Sequence, residues 1–300
     1  MIKRTLYFGT PAYLSTKNEQ LVIKKFENDE EQISTVPIED IGIVIIDHYG
    51  VTVSQYLISL LLENNVALIT CNKNHHPTGL LLNLDGNSVQ SEKFRAQINA
   101  SKPLCKQLWQ QTVSAKIYNQ AMLLKKEYKN NLNMLKWSEK VRSGDSSNLE
   151  ARASVYYWKN LFGEDIEFYR DRFGEPPNNL LNYGYAILRA IVARGLVASG
   201  LLPTLGIFHK NKYNAYCLAD DIMEPYRPYV DNIVLQIIRD KIDYSFLTPE
   251  LKKRFFNIPV IEVLINKKRS PLIVGLQKTT NSLAQCFQGK VRKILFPVFD

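Results

Sequence analysis

Leu104-Cys-Lys-Gln-Leu-Trp-Gln-Gln-Thr-Val-Ser-Ala-Lys-Ile-Tyr-Asn-Gln-Ala-Met-Leu-Leu124 decides the architecture. Leu108, Val113, Ile117, Ala121 and Leu124, followed by Tyr128, Leu132 and Leu135, recur at intervals of mostly three or four residues, the period of a helical face from 104 to 135. Comparable periods run over 147–161, 180–199 and 229–241, so residues 92–300 read as one large all-α domain. Upstream the period is different. Short apolar runs at Thr5–Phe8, Leu21–Lys24, Ile33–Val36, Ile41–Ile46 and Val66–Cys71, punctuated by turn formers, read as strands. Ser54 followed by Gln-Tyr-Leu-Ile-Ser-Leu-Leu-Leu-Glu63 reads as an N-cap and one helix. The glycine fingerprint of a dinucleotide fold is missing. The fold class is therefore α+β: a small β-rich domain over 1–75, a linker over 76–91 with turn formers and a short apolar stretch, and the helical domain over 92–300.

Composition narrows the function classes. With 45% hydrophobic and 22% charged residues, the chain has a normal globular balance. Cys71, Cys105, Cys217 and Cys286 lie too far apart for a zinc knuckle or dithiol motif and read as reduced thiols. No apolar run reaches the roughly 18 residues that span a bilayer, so a cytoplasmic protein without a membrane role is expected. The charge is unevenly placed. Residues 1–75 hold six basic and nine acidic side chains, so of the total of +9, residues 76–300 carry +12. Seven basic residues between 264 and 300 face one acidic residue, Asp300. A basic domain of this kind suits a polyanion, because each neutralised phosphate releases counterions.

Three places carry ionisable groups that helix packing does not ask for. Ser147-x-x-Glu150 has the form of a capping box, in which Glu150 serves the helix start. His209 follows the apolar run Leu201–Phe208 and precedes Lys210, Asn211 and Lys212, at what reads as a loop edge. In Leu218-Ala-Asp-Asp-Ile-Met-Glu224, Asp220 and Asp221 stand one helical turn before Glu224, and the three carboxylates crowd towards one face. Arg227 is one way to offset that repulsion, as part of a surface network. A hard divalent cation is the other; one histidine with carboxylates admits magnesium or manganese. His75 and His76 read as a solvated loop, since neighbouring side chains point in different directions.

Taken in order, Gly144-Asp-x-x-Asn-Leu-Glu150-Ala-x-Ala, Leu181-Asn-Tyr-Gly-Tyr-Ala-Ile-Leu-Arg189-Ala, Gly206-x-x-His209 and Leu218-Ala-Asp-Asp-Ile-Met-Glu-Pro-Tyr-Arg-Pro228 with Asp231 resemble the CRISPR-associated spacer-acquisition integrase, the first-numbered and near-universal Cas protein. Glu at 224, where many relatives have Asp, and the Leu-Asn-Tyr-Gly-Tyr wording are most similar to the type II systems. The resemblance implies a β-sandwich-like N-terminal domain that dimerises, and a catalytic helical domain. It implies that Glu150, His209 and Glu224 are the catalytic ligands of one Mg2+ or Mn2+, with Asp221 assisting. It implies a homodimer that works with the small second Cas adaptation protein, and in type II systems with the effector nuclease and an accessory adaptation protein. The DNA partners implied are a prespacer duplex and the CRISPR repeat, joined by transesterification. Lys210, Lys212, Arg152 and Arg227 are the basic residues nearest the ligands in sequence and are the expected DNA contacts. Two rivals stay open on sequence: a metal-dependent nuclease that only cleaves, and a non-catalytic DNA-binding scaffold with an acidic surface network.

Overall fold

A computed structural model describes residues 3–27, 30–163, 166 and 168–300. The N-terminal part contains β1 (Arg4–Phe8), β2 (Ala12–Lys17), β3 (Gln20–Glu27), β4 (Glu30–Pro37), β5 (Ile41–Ile46), β6 (Val51–Val53), α1 (Gln55–Glu63), β7 (Ala67–Cys71) and β8 (Pro77–Leu81). They make two four-stranded sheets, ordered β1-β5-β7-β8 and β4-β3-β2-β6. β5 runs parallel to β1 and β7, while β2, β3 and β4 form an antiparallel meander. Leu14, Leu21, Ile41, Val44, Leu57 and Leu68 fill one apolar core between these elements. Ile43, Ile45 and Ile69 point from the opposite face of the first sheet into the core of the helical domain. β5 is thus covered on both faces, which is why it reads as the unbroken run Ile-Gly-Ile-Val-Ile-Ile without polar alternation. Ser54 caps α1 as its sequence position predicts, its hydroxyl oxygen accepting from the Leu57 N–H at 3.3 Å. The stretch 77–81, inside the expected linker, adds β8 to the edge of the first sheet beside β7.

The helical domain follows with α2 (Gln90–Ile98), α3 (Lys102–Lys126), α4 (Leu132–Lys140), α5 (Leu149–Leu161), α6 (Asn178–Ala198), α7 (Cys217–Met223), α8 (Arg227–Arg239), α9 (Pro249–Phe255) and α10 (Leu272–Phe287). A two-stranded hairpin, β9 (Glu262–Ile265) and β10 (Lys268–Pro271), precedes α10. The periodic stretch 104–135 is two helices, not one. Tyr128 adopts φ 56°, and the N–H groups of Tyr128 and Lys129 turn back to the carbonyls of Lys125 and Leu124, which closes α3 in a Schellman turn. A glycine would have announced that turn; a tyrosine does not.

α6 is long and apolar enough to cross a bilayer by length and composition, but 83% of that window is buried inside the protein. Its hydrophobicity is that of a core helix. Gly184 allows this burial, because a Cβ there would come within 2.5 Å of Val230 on α8. The sheet and the helices are also joined by charge. Asp47, at the end of β5, is buried and accepts hydrogen bonds from Lys252 Nζ of α9 at 2.6 Å, Tyr7 Oη at 2.5 Å and His75 Nδ1 at 2.9 Å. His75, expected in a solvated loop, keeps more than half of its side chain exposed while making this contact. All four cysteines are free, Cys217 and Cys286 buried, Cys71 and Cys105 half-buried.

Candidate metal centre

α3, α5, and the turn between α7 and α8 bring the first site residues together. Glu150 lies in the first turn of α5, but the capping box with Ser147 does not form. Asp145 serves the helix start instead, its carboxylate accepting from the N–H groups of Leu149 and Glu150, both at 2.9 Å. A carboxylate spans two adjacent amides where a serine hydroxyl takes one, and Asn148 at φ 51° turns the chain so that Asp145 can reach. The Glu150 side chain is thereby released from capping. It reaches across to α3, where Lys116 Nζ stands 2.6 Å from Glu150 Oε1 and 2.7 Å from Glu224 Oε2. Arg227 closes the other side of Glu224, 3.0 Å from Oε1. Burial alone would raise the Glu224 pKa; the charges of Arg227 and Lys116 outweigh it and hold the carboxyl down to about 2. For the Lys116 ammonium, desolvation is likewise outweighed by Glu224 and Glu150, and its pKa moves up. Although Lys116 is so near, Glu224 Oε2 is a buried oxygen with no aligned hydrogen-bond donor.

The three acidic residues of the 218–224 segment do not share one face. Asp220 is taken by Arg189 Nε at 2.6 Å and Asn214 Nδ2 at 2.7 Å. Asp221 turns to the loop that carries His209. It accepts from His209 Nδ1 at 2.5 Å and from the backbone N–H groups of Phe208 and His209 at 3.0 and 3.2 Å. Gly206 permits this approach, since a Cβ there would sit 2.3 Å from the His209 carbonyl oxygen. The hydrogen bond to Asp221 raises the His209 pKa against the opposing effect of burial, and the charges of Glu224 and Glu150 add to the rise. With Nδ1 donating to Asp221, the neutral ring presents the lone pair of Nε2. This is how a carboxylate fixes a ligand histidine.

Among the described residues, no three His, Cys, Asp or Glu side chains stand close enough to hold one ion as they are. The physical reason lies in the contacts above: Lys116 fills the space between the carboxylates, and Asp221 draws the His209 ring towards itself. The donor set nevertheless fits a hard divalent cation. Two carboxylates already converge on a single positive charge, one of their buried oxygens lacks a donor, and a histidine with an oriented lone pair is in electrostatic reach.

The expected DNA contacts are placed unequally. Lys210 and Lys212 are exposed on the loop beside His209. Arg152 lies two residues after Glu150, on the opposite side of α5, and stacks over Trp137 at 4.6 Å. Arg227 is occupied by Glu224 and lies over the Tyr185 ring at 4.5 Å. Tyr185 in turn donates to the buried Asp231, as does Tyr157. A cleft of about 900 Å³ opens beside Glu224, lined by Lys116, Glu224, Arg227, Arg170, Tyr185 and Trp158 among others. On sequence alone no site role falls to Lys116, Asp145 or Arg170. Lys116 had a signal: it falls on the buried stripe of α3 between Val113 and Ile117, where an unpaired ammonium is costly.

The family model described as "CRISPR associated protein Cas1" matches residues 6–257. A relative from Neisseria meningitidis serogroup C, named CRISPR-associated endonuclease Cas1, is 36% identical over 94% of this chain and 91% of its own length. Among solved structures, a casposase bound to integration product superposes with a TM-score of 0.79 at 22% identity, covering 98% of this chain and 92% of that one. The Cas6-RT-Cas1–Cas2 complex includes a chain that superposes at 0.74 with 22% identity, over 97% of this chain and 35% of that one. At these identities the superpositions speak to the fold.

Proposed function

The chain belongs to the Cas1 family of CRISPR-associated proteins, and on that premise we propose that it is a divalent-metal-dependent DNA integrase and endonuclease of CRISPR adaptation. It joins the 3′-hydroxyl ends of a prespacer duplex to the repeat array by transesterification. The observation that carries this reading is the convergence of Glu150 and Glu224 on one cationic position, 2.6 and 2.7 Å from Lys116 Nζ, with the Asp221-oriented His209 beside them. Glu150, His209 and Glu224 would hold Mg2+ or Mn2+. Such an ion, when bound, polarises a phosphoryl oxygen and offsets charge on the attacking and leaving oxygens.

The protein's own groups supply the rest. Asp145 fixes the backbone at Glu150, so that the Glu150 carboxylate is free of the cap and can reach the position that Lys116 fills. Asp221 holds His209 in the tautomer that presents Nε2. Arg227 keeps Glu224 ionised and, through its stack on Tyr185, sets one wall of the cleft. Arg170 and Lys159 extend the basic lining of that cleft, and Lys210 and Lys212 stand on the rim by His209, where backbone phosphates are the natural partner. Arg152, stacked on Trp137, is reserved for a more distant phosphate. The assembly we propose is a homodimer through the β-rich domain of 1–75, joined by 76–91 to the catalytic domain of 92–300. It acts in the cytoplasm with the second Cas protein, and in a type II setting with the effector nuclease and an accessory adaptation protein. The presence of a Cas1–Cas2 complex among the superposable structures supports that partner.

The test combines the protein, the small partner, a labelled duplex with free 3′ ends, a supercoiled plasmid carrying the repeat, and Mg2+ or Mn2+. Covalent transfer of label into the plasmid is the expected result. Nicking without transfer would make the protein a nuclease only; metal-indifferent binding without either product would make it a scaffold.

A further inference from the structure

Lys116 has a role open to it beyond neutralising its neighbours; the argument rests on the reading of Glu150 and Glu224 as metal ligands. Its side chain rises from the buried face of α3, only 8% exposed, into the space between the two carboxylates. Both carboxylates touch it, Glu150 Oε1 at 2.6 Å and Glu224 Oε2 at 2.7 Å, so one ammonium is shared between them. Two carboxylates against one ammonium leave a negative charge over, which Arg227 offsets from the far side of Glu224. The metal-free cluster is therefore balanced. A divalent ion binding both carboxylates would enter the volume that the ammonium fills, and two cations cannot share it at contact distance. Lys116 has an exit, because it lines the cleft of about 900 Å³ and carries its charge on a flexible stem. Lys252, a second buried lysine among the described residues with a carboxylate partner at 2.6 Å, has its Asp47 oxygen also bonded by Tyr7 and does not line that cleft.

We infer that Lys116 is an exchangeable internal cation: it holds Glu150 and Glu224 together in the metal-free protein and is displaced into the cleft when a divalent ion takes them. Metal affinity is then set by competition with the lysine as well as by the ligands. The loaded cleft also gains a positive charge where a phosphate would lie.

The test uses the full chain. Mn2+ affinity is measured by calorimetry for the wild type and for Lys116→Met, and the wild type is labelled with an amine-reactive reagent with and without saturating Mn2+, each lysine being quantified by mass spectrometry. Labelling of Lys116 is expected to rise severalfold with Mn2+ while that of Lys252 stays constant. Lys116→Met is expected to bind Mn2+ about tenfold more tightly than the wild type, within the usual range of coupling between competing ligands. Unchanged Lys116 labelling in Mn2+-saturated wild type overturns the inference, as does a folded Lys116→Met with equal or weaker affinity. Should that variant not fold, the labelling result decides alone. A wild type that takes up no Mn2+ defeats the metal-site reading itself, which is a different failure from Mn2+ uptake with Lys116 unmoved.

Discussion

Among the described residues two buried lysines face carboxylates, and the contrast between them separates a structural ion pair from a functional one. At the joint between sheet and helices, a single carboxylate, Asp47, receives Lys252, Tyr7 and His75. Burial pushes its pKa up, and those donors more than reverse the effect. Donors outnumber the acceptor, and nothing remains to be bound. At the candidate centre the arrangement differs, since one ammonium stands between two carboxylates and Arg227 offsets the remaining charge from the far side of Glu224. An excess of acceptor around a cation thus points to exchange, and an excess of donor to permanence.

Removing one carboxylate from each place should have opposite consequences. Glu150→Gln should lose strand joining by roughly a thousandfold or more, worth about 4 kcal/mol of barrier, with unfolding midpoint little changed. Transfer of labelled duplex measures the first and calorimetric melting the second; comparable activity of the two proteins would remove Glu150 from the site. Asp47→Ala should do the reverse. It strands Lys252 and is expected to cost about 3–4 kcal/mol of stability, read by urea unfolding, while the molecules that remain folded keep their joining rate.

The pH dependence comes next in size. Glu224 is held to about 2 against an ordinary value of 4.5, a depression worth about 3 kcal/mol of stability. For a lowered acid pKa that stability is present above pH 4.5 and is lost as pH falls from there towards 2. Glu224→Gln should flatten this acid limb of the unfolding curve, and an unchanged limb would mean the depression belongs to another carboxylate. The smallest effect concerns orientation. Asp221→Asn can keep contact with His209 but no longer favours Nδ1–H, so Mn2+ affinity should fall by about 10–100-fold with a smaller loss of stability. Calorimetric titration checks it, and unaltered affinity would reduce Asp221 to an anchor for the 206–209 loop.

The parts that the sequence announced are those written locally. Ser54 capped its helix, and Ile41–Ile46 appeared as a strand because both of its faces are covered. The break after Lys126 was hidden because Tyr128 occupies a left-handed position usually given to glycine. At Glu150 the pattern Ser-x-x-Glu was sound as a local signal, but a carboxylate three residues before Asn148 competed for the same amides. Spacing also suggested that Asp220, Asp221 and Glu224 shared a face, whereas each found a separate partner from a different element: Arg189, His209 and Lys116. Those partners are distant in the chain, so only the folded molecule could divide the cluster. Lys116 is the clearest case. Its position on a buried stripe marked it as paired, but the identity of the pair depended on how α3 packs against α5 and the α7–α8 turn.

The indole rings fall at informative places. Trp109 is stacked on Phe208, with ring centroids 4.2 Å apart and planes parallel, and meets His209 edge-on at 5.6 Å. Trp158 lines the cleft, and Trp137 lies under Arg152. These are all three tryptophans in the chain. Their emission therefore samples the histidine loop, the cleft wall and the outer arginine separately, and single Trp→Phe replacements resolve the three signals. The molecule carries an optical gauge of its own centre, able to follow loading in real time without an attached dye.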